Sequence, residues 1–222
     1  MRSSVFWALV RKDMYVLRAF STAGLVTGLL ALGAMLTGKV GFAIGGILYL
    51  TANIAAGIMI AMYGFMNDRK EQTRLFSLSL PISGQHHELA KLLAAFLSYG
   101  IPWAILTLVG AVSMPLAGIF PRGFMVYALL VQGCCLALFG FLIGAMFIAK
   151  SERLAGLAVI TTNLLFSMFM VTIGQPAISG SMHGPRIVWT DLALWLLTGE
   201  VGLLVVALLF AVSIIFRTRD HL

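Results

Sequence analysis

Six stretches of this chain are apolar enough, for long enough, to cross a bilayer: about 19–36, 42–66, 92–112, 124–149, 154–174 and 191–216. At ~1.5 Å of rise per residue, each approaches or exceeds the ~30 Å of hydrocarbon in a membrane. In that solvent a backbone must satisfy its own polar groups, and runs of this length can do so only as α-helices. The expectation is an all-α integral membrane protein with six transmembrane helices. Composition agrees. Of the 222 residues 60% are hydrophobic and 10% charged, where soluble domains are about a quarter charged. The spans use up nearly all the length, so the chain reads as one transmembrane domain, 1–222.

The polar intervals give the rest of the layout. Residues 1–18 place Phe6, Leu9, Val10, Met14 and Leu17 at helical spacing, with Arg2, Arg11, Lys12, Asp13 and Arg18 mostly elsewhere on the wheel. This predicts an amphipathic helix lying in the interface, with Trp7 and Tyr15 at headgroup depth; the alternative is the polar start of a tilted first span. Arg11, Lys12 and Asp13 also interrupt any leader-like apolar core. Residues 67–91 form the longest polar interval, with a short greasy ridge of Leu75, Phe76, Leu78 and Leu80 stopped by Pro81. Residues 175–199 hold Gly, Pro and charge and are expected outside the membrane or as a re-entrant segment. The sixth run is either one long helix or a short outer piece followed by a span starting near Gly199.

Basic residues set the orientation. With both termini on one side, that side holds Arg2, Arg11, Lys12, Arg18, Arg69, Lys70, Arg74, Lys91, Lys150, Arg153, Arg217 and Arg219, twelve of the fifteen. Lys39, Arg122 and Arg186 fall on the other. The rich side belongs in the cytoplasm, which accounts for the net charge of +7 without nucleic acid as a partner. Membrane lipids are the expected surroundings. Cysteines introduced at Ser79 and Ser151, in a chain with Cys134 and Cys135 replaced, should be shielded from an impermeant thiol reagent added outside intact cells. External labelling at either would overturn the topology.

Several motifs are weaker than they look. Gly33-Ala-Met-Leu-Thr-Gly38-Lys39 copies most of a phosphate-binding loop, but Val40 stands where a magnesium-binding Ser or Thr is needed, and a span rather than a strand precedes it. The chain is therefore expected not to be an enzyme and to hold no cofactor itself. The neighbours His86 and His87 cannot both face one metal from a regular helix, and no catalytic set appears within the spans. The pairs Gly24/Gly28, Gly41/Gly45 and Gly140/Gly144 have the spacing that lets helices approach closely. Asn53, Gln132, Asn163 and Glu200 are polar residues within the spans that could line a pathway. Asn53, Gln132 and Asn163 read equally as helix-to-helix hydrogen-bonding groups. Glu200 reads either as a functional intramembrane acid or as an interfacial residue facing water.

One set of residues resembles a known family. Lys12-Asp13 in the first helix, then Glu71, Thr73, Leu75-Phe76, Leu80-Pro81-Ile82-Ser83 and Lys91 in the long loop, with six spans, is similar to the ABC-2 type permeases of small bacterial exporters. The resemblance implies the ABC-2, type V exporter-like fold and a place in the bacterial cytoplasmic membrane with both termini inside. It implies an export permease whose ATP and magnesium are bound by a separate cytoplasmic ATPase. It also implies a dimer with a second copy or a paralogue. The loop would carry a coupling helix, with Glu71, Thr73, Arg74, Leu75, Phe76, Leu78 and Pro81 meeting the ATPase, joined by Lys150 and Glu152 of the 4–5 loop. Composition adds that the cargo is apolar or amphipathic, such as a peptide, drug or lipid-like molecule. A non-transporting scaffold or immunity protein and an ATP-independent carrier are the alternative readings.

Overall fold

In the computed structural model, residues 2–66, 84–118, 120–149 and 151–217 are described. The elements are α1 (Arg2–Met35), α2 (Lys39–Met66), α3 (Gly84–Leu116), α4 (Phe124–Ile148), α5 (Glu152–Ile173), the short α6 (Pro176–Met182) and α7 (Asp191–Arg217). All of these elements are helical. Six of them, all but α6, are long and apolar enough to cross a membrane, which supports reading the chain as a multi-pass membrane protein.

α1 and α2 form a tight antiparallel hairpin. The turn between them needs Gly38, whose φ of +118° few side chains tolerate. Just beyond it Gly45 lies bare against α1, where a Cβ would fall 2.5 Å from the Ala31 carbonyl oxygen and 2.6 Å from Met35 Cγ. Lower down, Gly24 faces the Ala56 methyl. α1 also packs on α3. There Gly28 leaves room for Leu106, and Ser21 Oγ donates to the Ser98 carbonyl at 2.7 Å. In lipid there is little hydrophobic drive between helices, so close approach at small residues supplies much of the packing. All three glycine pairs seen in the sequence serve such approaches.

α4 is the central helix. It packs against α2, α3, α5, α6 and α7 and is buried on most sides, through Leu130, Val131, Cys134, Cys135, Leu138 and Leu142 among others. A helix apolar all round, with no polar face, suits that position. Around its lower half lies the largest buried cluster, in which Tyr99 stacks on Phe139 with ring centroids 4.1 Å apart. Both cysteines, at the middle of α4, are free and buried.

Two sequence expectations need correction. Residues 1–18 are not a separate interfacial helix but the first half of one unbroken α1. Their apolar stripe meets α3 rather than lipid, with Leu9 and Val10 buried against Ala90 and Ala94. Periodicity reveals an apolar face but not its partner, and here the small residues of α3 offer one. Trp7 and Tyr15 remain exposed, with the Arg18 guanidinium 3.8 Å over the Tyr15 ring, and Lys12 pairs with Asp13 at 3.1 Å. The second correction concerns the loop. Residues 84–91 are helical, the first two turns of α3, and Lys91 is buried with its ammonium 5.1 Å from the Phe65 ring centroid. In the region 175–199, the single long helix is the one of the two readings of the sixth run that the structure has. The region's short helix is α6, started by Pro176 at the N-terminal position that suits proline, while 191–199 are continuous with α7.

Candidate intramembrane cavity and its polar end

Where α2, α3 and α4 diverge they enclose a cavity of about 320 Å³. Its wall is aromatic and thioether: Phe42, Phe124 and Tyr127, with Met35, Met114, Met125, Met170 and Met182. Such side chains offer polarizable, adaptable surface. Gly46 forms part of the α2 wall, and a Cβ there would meet nothing within 4 Å.

Polar atoms gather at one end. Gln132 of α4 donates from Nε2 to the Tyr49 hydroxyl at 2.7 Å, and Thr107 Oγ1 lies 3.4 Å from Gln132 Oε1. Trp103 Nε1 donates to the Gln132 backbone carbonyl at 2.9 Å. Thr107 Oγ1 also reaches the Trp103 carbonyl at 2.8 Å. A hydroxyl has one proton and this contact is the shorter, so the Gln132 carbonyl oxygen keeps acceptor capacity. The arrangement suits a mostly apolar molecule carrying a hydroxyl or amine near one end.

The candidate residues separate into distinct places. Asn53 is buried beside this end, its Nδ2 donating to the Tyr49 backbone carbonyl at 3.0 Å. Asn163 is more exposed and bonds the Val159 carbonyl of its own helix at 3.0 Å. Both border a small void of about 30 Å³ beside the central helix. Gln132 is thus the one of the three that reaches across helices by its side chain. Glu200 borders neither space. It is buried to 8% exposure on the other side of α4, against Gly133, so it is not an interfacial residue facing water.

Tyr49, Trp103 and Thr107 are not among the candidates that the sequence singles out. A signal existed: Tyr49 sits in the interior of a span rather than at headgroup depth, and Trp103 and Thr107 are four apart on one helix face. Of the expected coupling residues, Glu71, Thr73, Arg74, Leu75, Phe76, Leu78, Pro81 and Lys150 lie outside the described residues. Glu152 is exposed at the start of α5, where its charge suits the helix N-terminus, after Ser151 caps the helix by accepting from Leu154 N–H at 3.3 Å. Among the described residues no three His, Cys, Asp or Glu side chains come together to hold a metal. No protein-family model, curated protein or solved structure matches the chain.

Proposed function

We propose that the chain is the permease subunit of an ATP-driven exporter of the ABC-2 kind, moving apolar or amphipathic cargo with a cytoplasmic ATPase and a second permease copy. The observation that carries the cargo half of this reading is the cavity between α2, α3 and α4, apolar along its wall and polar only near Gln132. By the basic-residue orientation it opens among the outer ends of the spans, since Phe42, Met114 and Phe124 lie near the helix ends that this orientation puts outside. That is where cargo would stand before release. The ATPase half rests on the sequence of the long loop. Leu75, Phe76 and Leu78 form the apolar anchor, and Arg69, Lys70, Glu71 and Arg74 its charged rim. A small apolar anchor seated in a pocket usually dominates such an interface, while the rim steers encounter.

The test is Phe76→Asp in the chain expressed in its native host, with the proposed ATPase partner followed through purification. The change should leave the six helices folded but lower ATPase co-purification or uncouple substrate-stimulated hydrolysis from transport, by about tenfold, which corresponds to ~1.4 kcal/mol at the anchor. If assembly, stimulated hydrolysis and transport all stay at the level of the unchanged protein, the coupling role is wrong. Transport that proceeds without ATP would favour a carrier instead.

A further inference from the structure

Glu200 lies on the face of α7 that also buries Ala193, Ala207 and Ala211. Spacings of seven and four along a helix mark a single seam, and this seam runs along α4. Opposite it stand Gly133, Gly140 and Gly144. A Cβ at Gly133 would run into the Glu200 carboxyl, one at Gly140 would fall 2.6 Å from Leu204 Cδ1, and one at Gly144 would lie 3.4 Å from the Ala207 carbonyl oxygen. The acid therefore rests on nearly bare helix, more than nine-tenths buried, and neither carboxyl oxygen has a hydrogen-bond partner among the described residues.

Among the described residues, the groups around it do not offer a counter-charge. On α4 the adjacent titratable side chains are the thiols of Cys134 and Cys135. On α3, His86, His87, Glu88 and Lys91 belong to the first two turns, toward the opposite end of the bundle, where Lys91 is turned to Phe65. Tyr99 of α3 is stacked on Phe139. α6 carries no titratable side chain. On α7 itself Asp191 and Arg217 are at the helix ends. An isolated carboxylate in such surroundings is costly enough that the group neutralises instead. A metal ion or ammonium group would need space and further ligands, and Glu200 lines neither the large cavity nor the small void beside the central helix. A proton needs no space.

We propose that Glu200 is a proton-binding site of the α4–α7 seam. Its carboxyl holds the proton while the seam is packed. When α4 and α7 part, water entering from the Asp191 end takes the proton and leaves a solvated carboxylate, and closing the seam requires a proton to return. The site stands on the seam alone and is independent of the exporter reading. Infrared spectroscopy of the protein in lipid nanodiscs near neutral pH tests it. The unchanged chain should show the C=O stretch of a protonated carboxyl, Glu200→Gln should lose it, and Glu200→Asp should shift it. Identical spectra in that region for the unchanged chain and Glu200→Gln would overturn the assignment. Should Glu200→Gln fail to fold, the Asp variant decides, because a band that does not move between Glu and Asp belongs to another group.

Discussion

Valine at position 45 should cost this protein its fold, while valine at position 46 should leave it standing. The two glycines are neighbours on α2, yet only Gly45 faces α1. A Cβ there would come 2.5 Å from the Ala31 carbonyl oxygen and 2.8 Å from the Met35 backbone nitrogen. Overpacking a core usually costs about 1–3 kcal/mol, because side chains can turn aside. Backbone atoms cannot turn aside, so Gly45→Val must push α1 and α2 apart along the hairpin, and the loss should exceed ~3 kcal/mol. At Gly46 an added Cβ meets nothing within 4 Å. Unfolding of the two variants in mixed micelles, titrated with a denaturing detergent, makes the comparison. Equal stabilities would mean that the α1–α2 approach is not as close as described.

Phenylalanine at position 46 should keep the fold and abolish ligand capture. The side chain would project from the α2 wall into the cavity of about 320 Å³ and occupy the space that an apolar molecule needs. Binding of an amphipathic fluorescent probe should weaken at least tenfold, or about 1.4 kcal/mol, with the unfolding curve unchanged. Gly33→Phe is the matched control, since Gly33 is exposed, meets nothing within 4 Å and does not line the cavity. If both variants bind the probe as the unchanged chain does, the cavity is not where such molecules sit.

The helices were legible in the sequence because lipid imposes one rule on every backbone group, and a run such as 124–149 leaves no second way to obey it. Helix ends were less legible. Residues 84–91 are polar by composition, yet they continue α3, since Ala90 and Ala94 have α1 to pack against. For residues 1–18 the period of apolar side chains marks a helix face but does not name its neighbour, which is α3. Lipid and a second helix present the same apolar surface to such a stripe, and no local pattern distinguishes them.

The candidate site was legible only in part, and for a related reason. Gln132 stood out as a polar residue in an apolar run, but its partner Tyr49 is 83 positions away. Gln132 and Gly133 are adjacent in the chain, and nothing local shows that they serve different neighbours. In the folded molecule Gln132 turns toward the cavity and Gly133 toward α7, because neighbours on a helix point about 100° apart. The sequence by itself determined that this chain is helical and that six of its runs are long and apolar enough to span a membrane, since these follow from length and hydropathy along one dimension. Only the tertiary structure decided that α4 is the centre, that glycines set the helix approaches, and that Glu200 is buried without a partner among the described residues, because each depends on which faces meet, and that choice is made between segments far apart in the chain.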